Sequence, residues 1–239
     1  MKSLLIASAC FMALSFSNKK DKEWTSIFNG KDLTGWTVKC KPEDQHKNYW
    51  QVKDGMIKVN ALGDKDHDYV WLMSDNEYGD FSLKLKFAAF KNSPGNSGVQ
   101  IRSRYDDTAE WLDGPQIDIH PQGPWRSGMM WDETRDMKRW IYPDIPKGKW
   151  VDESMIKEVP EFYYSDEELK WNEMEIIAKG WKITAFLNGT QITDFNNKDL
   201  LAGPGHIKYQ VGKKGHIALQ LHIKDELKMF YKDILIREL

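Results

Sequence analysis

Apolar and polar residues alternate one for one in short runs along most of the chain, and Gly, Asn or Asp ends each run. A period of two marks a strand with one buried face, and helical periodicity is scarce. Trp50 to Val59 (WQVKDGMIKV) reads as a hairpin turning at Asp54-Gly55. Trp181 to Leu187 and Gln191 to Phe195 form a second, turning at Asn188-Gly189. Phe81 to Phe87, Val99 to Arg104, Gln116 to His120, His216 to Ile223 and Lys228 to Arg237 supply further strands. The pattern predicts an all-β sandwich or barrel. Pro121 to Leu169 breaks the rhythm and predicts long loops, with a short helix near Ser165 to Leu169 where Ser165 and Glu168 would form a capping box.

Alternation also sorts side chains by face. In the Val99 strand the apolar residues are Val99 and Ile101, which leaves Gln100, Arg102 and Arg104 opposite. Ile117 and Ile119 turn inward in the next strand, and Gln116, Asp118 and His120 share the other side. Near the C-terminus Ile217, Leu219, Leu221 and Ile223 are inward, with Gln220 and His222 opposite. An ordinary solvated sheet face carries Lys, Glu and Thr. Gln, Arg, Asp and His on three strands predict a functional face instead. Asp118 and His120 stand two strand rises apart, roughly 7 Å. That spacing suits an acid/base pair or two ligands of one divalent cation. Arg102 would hold a carboxylate, a carbonyl oxygen or a developing enolate. No fixed-spacing metal motif is present, so a divalent metal stays open and no cofactor is firmly implied.

Composition narrows the partners. A length of 239 residues with 41% hydrophobic content is ordinary for one large sandwich. The formal net charge of −2 gives no electrostatic support to a nucleic-acid or anionic-membrane partner. Eleven Trp residues exceed the needs of a core, and flat aromatic faces suit the C–H faces of sugars. Residues 1–17 read as an export signal: Lys2, an apolar run from Leu4 to Phe16, and a small-x-small site at Ser15-Phe16-Ser17. The expectation is an exported, periplasmic or extracellular domain over 18–239 without a membrane span, with lipid attachment at Cys10 as the second reading. With the signal removed Cys40 is alone, which excludes a disulfide scaffold.

Several short motifs occur in a fixed order: Phe28-Asn29-Gly30-Lys31-Asp32-Leu33-Thr34-Gly35-Trp36, Tyr78-Gly79-Asp80-Phe81, Asn96-Ser97-Gly98-Val99, Gly114-Pro115-Gln116-Ile117-Asp118-Ile119, Trp171-Asn172-Glu173, Asn188-Gly189 and Gly215 to His222. In this order the chain resembles the 3-keto-disaccharide hydrolase domain family from Trp24 to Leu239. The resemblance implies a concanavalin A-like jelly roll of two antiparallel sheets, and cleavage of glycosides whose sugar is already oxidised at C3. A C3 ketone acidifies the C2 hydrogen, and the glycosidic oxygen at C1 lies β to the resulting enolate. On this sequence the resemblance and parity together nominate His120 or Asp118 as base and Arg102 as enolate stabiliser. Gln100, Arg104, Gln116, Trp131, Gln220 and His222 are the substrate-binding candidates. Many family members carry Glu where Gln116 stands, so a role needing that carboxylate would move, with Asp118 its nearest heir. Trp125, Trp131, Trp140 and Trp150 form either a wall over the cleft or a lid on the sheet edge. A non-catalytic carbohydrate-binding module is the competing reading. An ordinary glycosidase needs a second carboxyl group, which Asp132 or Glu133 would have to supply.

Overall fold

The computed structural model describes residues 22–239, so the predicted signal segment and Cys10 lie outside the described residues. Two sheets face each other. The first runs Thr190–Asn196, Lys182–Leu187, Asn172–Lys179, Phe81–Phe90, Lys228–Glu238, Met56–Asn60 and Trp50–Lys53, with short strands Thr25–Ser26 and Tyr164–Ser165 attached. The second runs Arg139–Tyr142, Met130–Asp132, Pro115–Ile119, Ser97–Asp106, Gly215–Leu221, Val70–Tyr78 and Trp36–Cys40, with Trp111–Asp113 folded back on Ser97–Asp106. The two-residue strand Tyr164–Ser165 pairs parallel, and every other pairing is antiparallel. This is the all-β concanavalin A-like jelly roll.

The core follows from the alternation. Phe81, Leu83, Leu85 and Phe87 of the first sheet meet Val99, Ile101, Ile117, Ile119, Ile217, Leu219 and Leu221 of the second, all almost fully buried in one cluster. One polar tie crosses it: the Tyr231 hydroxyl and Ser97 Oγ lie 2.7 Å apart, and Ser97 Oγ donates to Gln220 O. Both hairpin turns form as expected, with positive φ at Asp54, Gly55, Asn188 and Gly189, the pattern a two-residue turn between twisted strands requires.

Two expectations are corrected. Ser165 to Leu169 is a bend and not a helix, because Ser165 is held in strand pairing with Phe90 and its Oγ accepts from Lys170 N at 2.9 Å. The Pro121 to Leu169 segment is also less irregular than its composition suggests, since Met130–Asp132 and Arg139–Tyr142 extend the second sheet.

Several of the ordered motifs turn out to be structural ties. Asn29 Oδ1 accepts from the backbone of Lys31 and Asp32, and Trp36 Nε1 donates to Ile27 O. The Asn172 side chain both donates to and accepts from the Tyr163 backbone. Asp80 Oδ1 accepts from Gly180 N and from Arg102.

Arg102 therefore does not join the predicted face. Gln100 pairs with Ala218 and Ser103 with His216, so the two strands shift register between them. Arg102 sits in that irregularity with φ at 51°. The bulge breaks the period of two and sends its guanidinium to Gly79 O, Gly180 O and Asp80, fully buried. Arg104 pairs with Glu77 and with Lys214 O, away from the other candidates. Arg102→Ala should cost about 2–4 kcal/mol in urea unfolding, because the Gly79 and Gly180 carbonyls and the Asp80 carboxylate lose their donor and the space of a buried side chain is left empty. Activity assayed on the folded fraction should persist; unchanged stability with lost turnover would return Arg102 to the chemistry.

Candidate active site

A cavity of about 340 Å³ opens on the outer face of the second sheet, large enough for one sugar ring and part of a second. Gln116, Asp118, His120, Trp131 and His222 all line it, joined by Tyr69, Arg126, Glu133, Lys138, Trp140, Trp150 and Asp225. A larger hollow of about 460 Å³ lies on the outer face of the first sheet. Two of its three lysines are ion-paired, Lys84 with Glu175 and Lys86 with Asp233, the third, Lys232, lies over the Trp171 ring, and none of its ionisable groups is buried. The smaller cavity, which gathers buried ionisable groups, is the candidate site.

Its floor is shaped by an absence. Gly98 pairs with Asp118, and a Cβ built on Gly98 would sit 2.3 Å from the Gln116 side chain. Glycine here lets Gln116 fold down across the sheet instead of filling the cavity. Gln100 and Gln220 are fully buried in the same floor and do not reach the cavity wall. Neither the Gln100 nor the Gln220 amide meets a hydrogen-bond partner in the protein, and the Gln220 amide lies close enough to the Glu133 carboxyl to favour its charge.

Three titratable groups sit in contrasting environments. Glu133 is 5% exposed, and burial pushes its carboxyl up to about 7, against the pull of Lys138 and His222. His120 is held below the usual imidazole range, first by burial and then by the Arg126 charge. His222 goes the other way. Burial opposes its charge, but the Asp225 hydrogen bond and the Asp225, Glu133 and Asp118 carboxylates outweigh that and raise it. Its Nδ1 lies 3.2 Å from Asp225 Oδ2, and its Nε2 is 3.1 Å from the Tyr69 hydroxyl. Asp225 is fixed in turn by the Asn96 N–H at 2.8 Å. The cavity thus holds a carboxyl poised to exchange a proton near neutrality, one imidazole shifted toward its neutral form and one shifted toward its charged form, the divergence that separates acid from base.

Asp118, nominated as a base, is buried against Arg126, whose Nε donates to it at 2.7 Å. Arg126 takes the place at the site that parity gave to Arg102. Lys138 adds a second cation, with its Nζ 3.7 Å from the Trp111 ring centroid. Among the described residues no three His, Cys, Asp or Glu side chains converge as metal ligands.

One wall is aromatic. Trp131 and Trp150 stack at 5.7 Å with planes 9° apart, and Trp140 meets both edge-on. Trp150 remains 65% exposed, an unusual state for so large an apolar group. Trp125 packs on the core instead. Of the groups that alternation did not place on the face, Asp225 lies three residues beyond His222, and Glu133, named from the sequence only as a possible glycosidase carboxyl, directly follows the strand Met130–Asp132 with the parity of Trp131.

The sandwich and a cavity of ionisable groups walled by tryptophan define a carbohydrate-active jelly-roll protein. The chain belongs to the 3-keto-alpha-glucoside-1,2-lyase-like domain family, whose model matches residues 23–237. Among solved structures it is similar to a candidate glycosyl hydrolase from Parabacteroides distasonis, at 20% identity and TM-score 0.55, covering 91% of this chain and 100% of that one. It is also similar to the β-glucanase of Bacillus licheniformis, at 11% identity and TM-score 0.53, covering 92% and 99%. A galectin-like protein from Bacillus subtilis aligns at 12% identity and TM-score 0.55, covering 86% and 90%. At such identities the likeness shows the fold. No curated protein matches the chain.

The Glu133 environment has a consequence for stability. Its carboxyl keeps a proton to about pH 7 when folded, against about 4.5 as the ordinary value. Between these values the folded state holds more protons, so stability falls as pH rises. Across the window the loss is on the order of 3 kcal/mol. Glu133→Gln should therefore flatten the decline in urea-unfolding stability between about pH 4.5 and 7. Parallel curves for the variant and the native protein would show that the carboxyl is not buried and neutral.

Proposed function

We propose that this protein cleaves glycosides oxidised at C3 by eliminating the C1 substituent. The observation that supports it most is the buried Glu133 carboxyl, poised near neutrality among cations in a sugar-sized cavity. Glu133 as carboxylate removes the C2 proton. The C2–H electrons form the enolate, whose C3 oxygen is stabilised by Arg126 and Lys138. Re-forming the C3 carbonyl drives those electrons into a C1=C2 bond as the C1–O bond breaks. The His222 imidazolium gives the leaving oxygen its proton, and water added across C1=C2 would complete net hydrolysis.

His120, held neutral, is the alternative base; Asp118 suits that role less because it is committed to Arg126. The exposed face of Trp150 lies at the rim, where a leaving group would pass. We further propose export of the domain over 18–239, with residues 1–17 removed. Sugar binding without chemistry is the second reading, and the exposed Trp150 favours it.

With a 3-keto-glucoside, Glu133→Gln should lower kcat/KM at least about 10²-fold. Trp150→Ala should raise KM and spare kcat, and plain glucosides should not be cleaved. Binding of both sugar types with turnover of neither would favour the binding module. Cleavage of plain glucosides would overturn the elimination mechanism.

A further inference from the structure

Asp132 and His206 are both fully buried, and His206 Nε2 stands 2.9 Å from Asp132 Oδ2. A pair removed from water needs a compensating reason to persist in a core. Its location supplies one. In the Met130–Asp132 strand Trp131 faces the cavity and Asp132 faces away, and Glu133, the residue that follows the strand, faces the cavity again. The Asp132 carboxylate holds both sides of that step, since Oδ1 accepts from Thr134 N at 3.0 Å while Oδ2 takes His206. Glu133 is clamped in between: its N–H donates to Gly114 O at 2.9 Å, and its carbonyl accepts from Trp111 Nε1 at 3.0 Å.

His206 comes from the short helix Pro204–Lys208, whose end is tied to the same turn. Lys208 and Tyr209 both donate to Asp136, and Gly205 lies against Met137. We infer that the Asp132–His206 pair is a positioning device that fixes the backbone on both sides of Glu133 and so aims its carboxyl into the cavity. The inference rests on the reading of Glu133 as base. A plain structural tie between helix and sheet would predict lost stability and nothing else. A positioning role predicts a change in the behaviour of Glu133, which faces Lys138 of the turn, Gln220 and His222 at the end of the Gly215–Leu221 strand, Tyr69 across the cavity, and Asp132, the residue before it.

The test compares His206→Leu, which cannot donate, with His206→Gln, whose amide can. Both are assayed below their melting temperatures on a 3-keto-glucoside, and the Glu133 carboxyl is titrated by carbon-13 NMR. His206→Leu should lose about 10- to 100-fold in kcat with KM within about threefold, as displacement of a reacting group does. Its Glu133 titration should move from about 7 toward the ordinary carboxylate range, as the loosened segment admits water. His206→Gln should restore kcat to within about threefold of the native value and return the titration. A folded His206→Leu with native kcat and an unmoved titration would overturn the inference. If Glu133→Gln turns over at full rate, the base assignment fails on its own. The Glu133 titration in His206→Leu then still decides the pair, since a moved curve supports positioning and an unmoved one overturns it.

Discussion

A carboxyl group taken out of water resists ionising, and a base must ionise. The cavity is organised around that conflict at Glu133. Burial alone would keep the proton on, while Lys138, His222 and the Gln220 amide favour the charge, and the balance falls at about 7. His222 can exert its pull only because Asp225 holds it charged, and Asp225 is anchored by Asn96 N. Arg126 is occupied by Asp118, and after burial its charge is what holds His120 below the usual imidazole range, against the opposing pull of Asp118. Each of these groups is thus tuned by its neighbours, directly or through one intermediary.

Such balance needs a rigid frame, and the sandwich provides it. The apolar sides of the strands lock into one core, so the polar sides stand at fixed spacing. The family motifs divide accordingly. Those at 28–36, 78–81, 171–173 and 188–189 tie loops to sheets. Those at 96–99, 114–119 and 215–222 border the cavity, and Gly98 among them is required where Gln116 crosses the floor. The Ser97–Tyr231 contact joins the two sheets directly beneath that glycine.

Much of this was legible in the sequence because strand alternation carries both the fold and the face. The same period that buried Ile117 and Ile119 also brought Gln116, Asp118 and His120 to one side. Arg102 escaped the rule because a bulge interrupts its strand, and nothing in VQIRSR marks where the register slips. Glu133 escaped for the opposite reason: it follows a strand only three residues long, inside a segment without visible period. Ser165 to Leu169 satisfied a local helix signal that strand pairing overrode. Long-range contact, which no local pattern encodes, decided all three.

The central claim is that cleavage begins by breaking the C2–H bond. The direct measurement uses a 3-keto-glucoside deuterated at C2, with the products followed by mass spectrometry. Removal of that hydrogen predicts products without deuterium and a slowed kcat/KM. Products that keep the deuterium, formed at the undeuterated rate, would show that the glycosidic bond breaks without an enolate and would contradict the account.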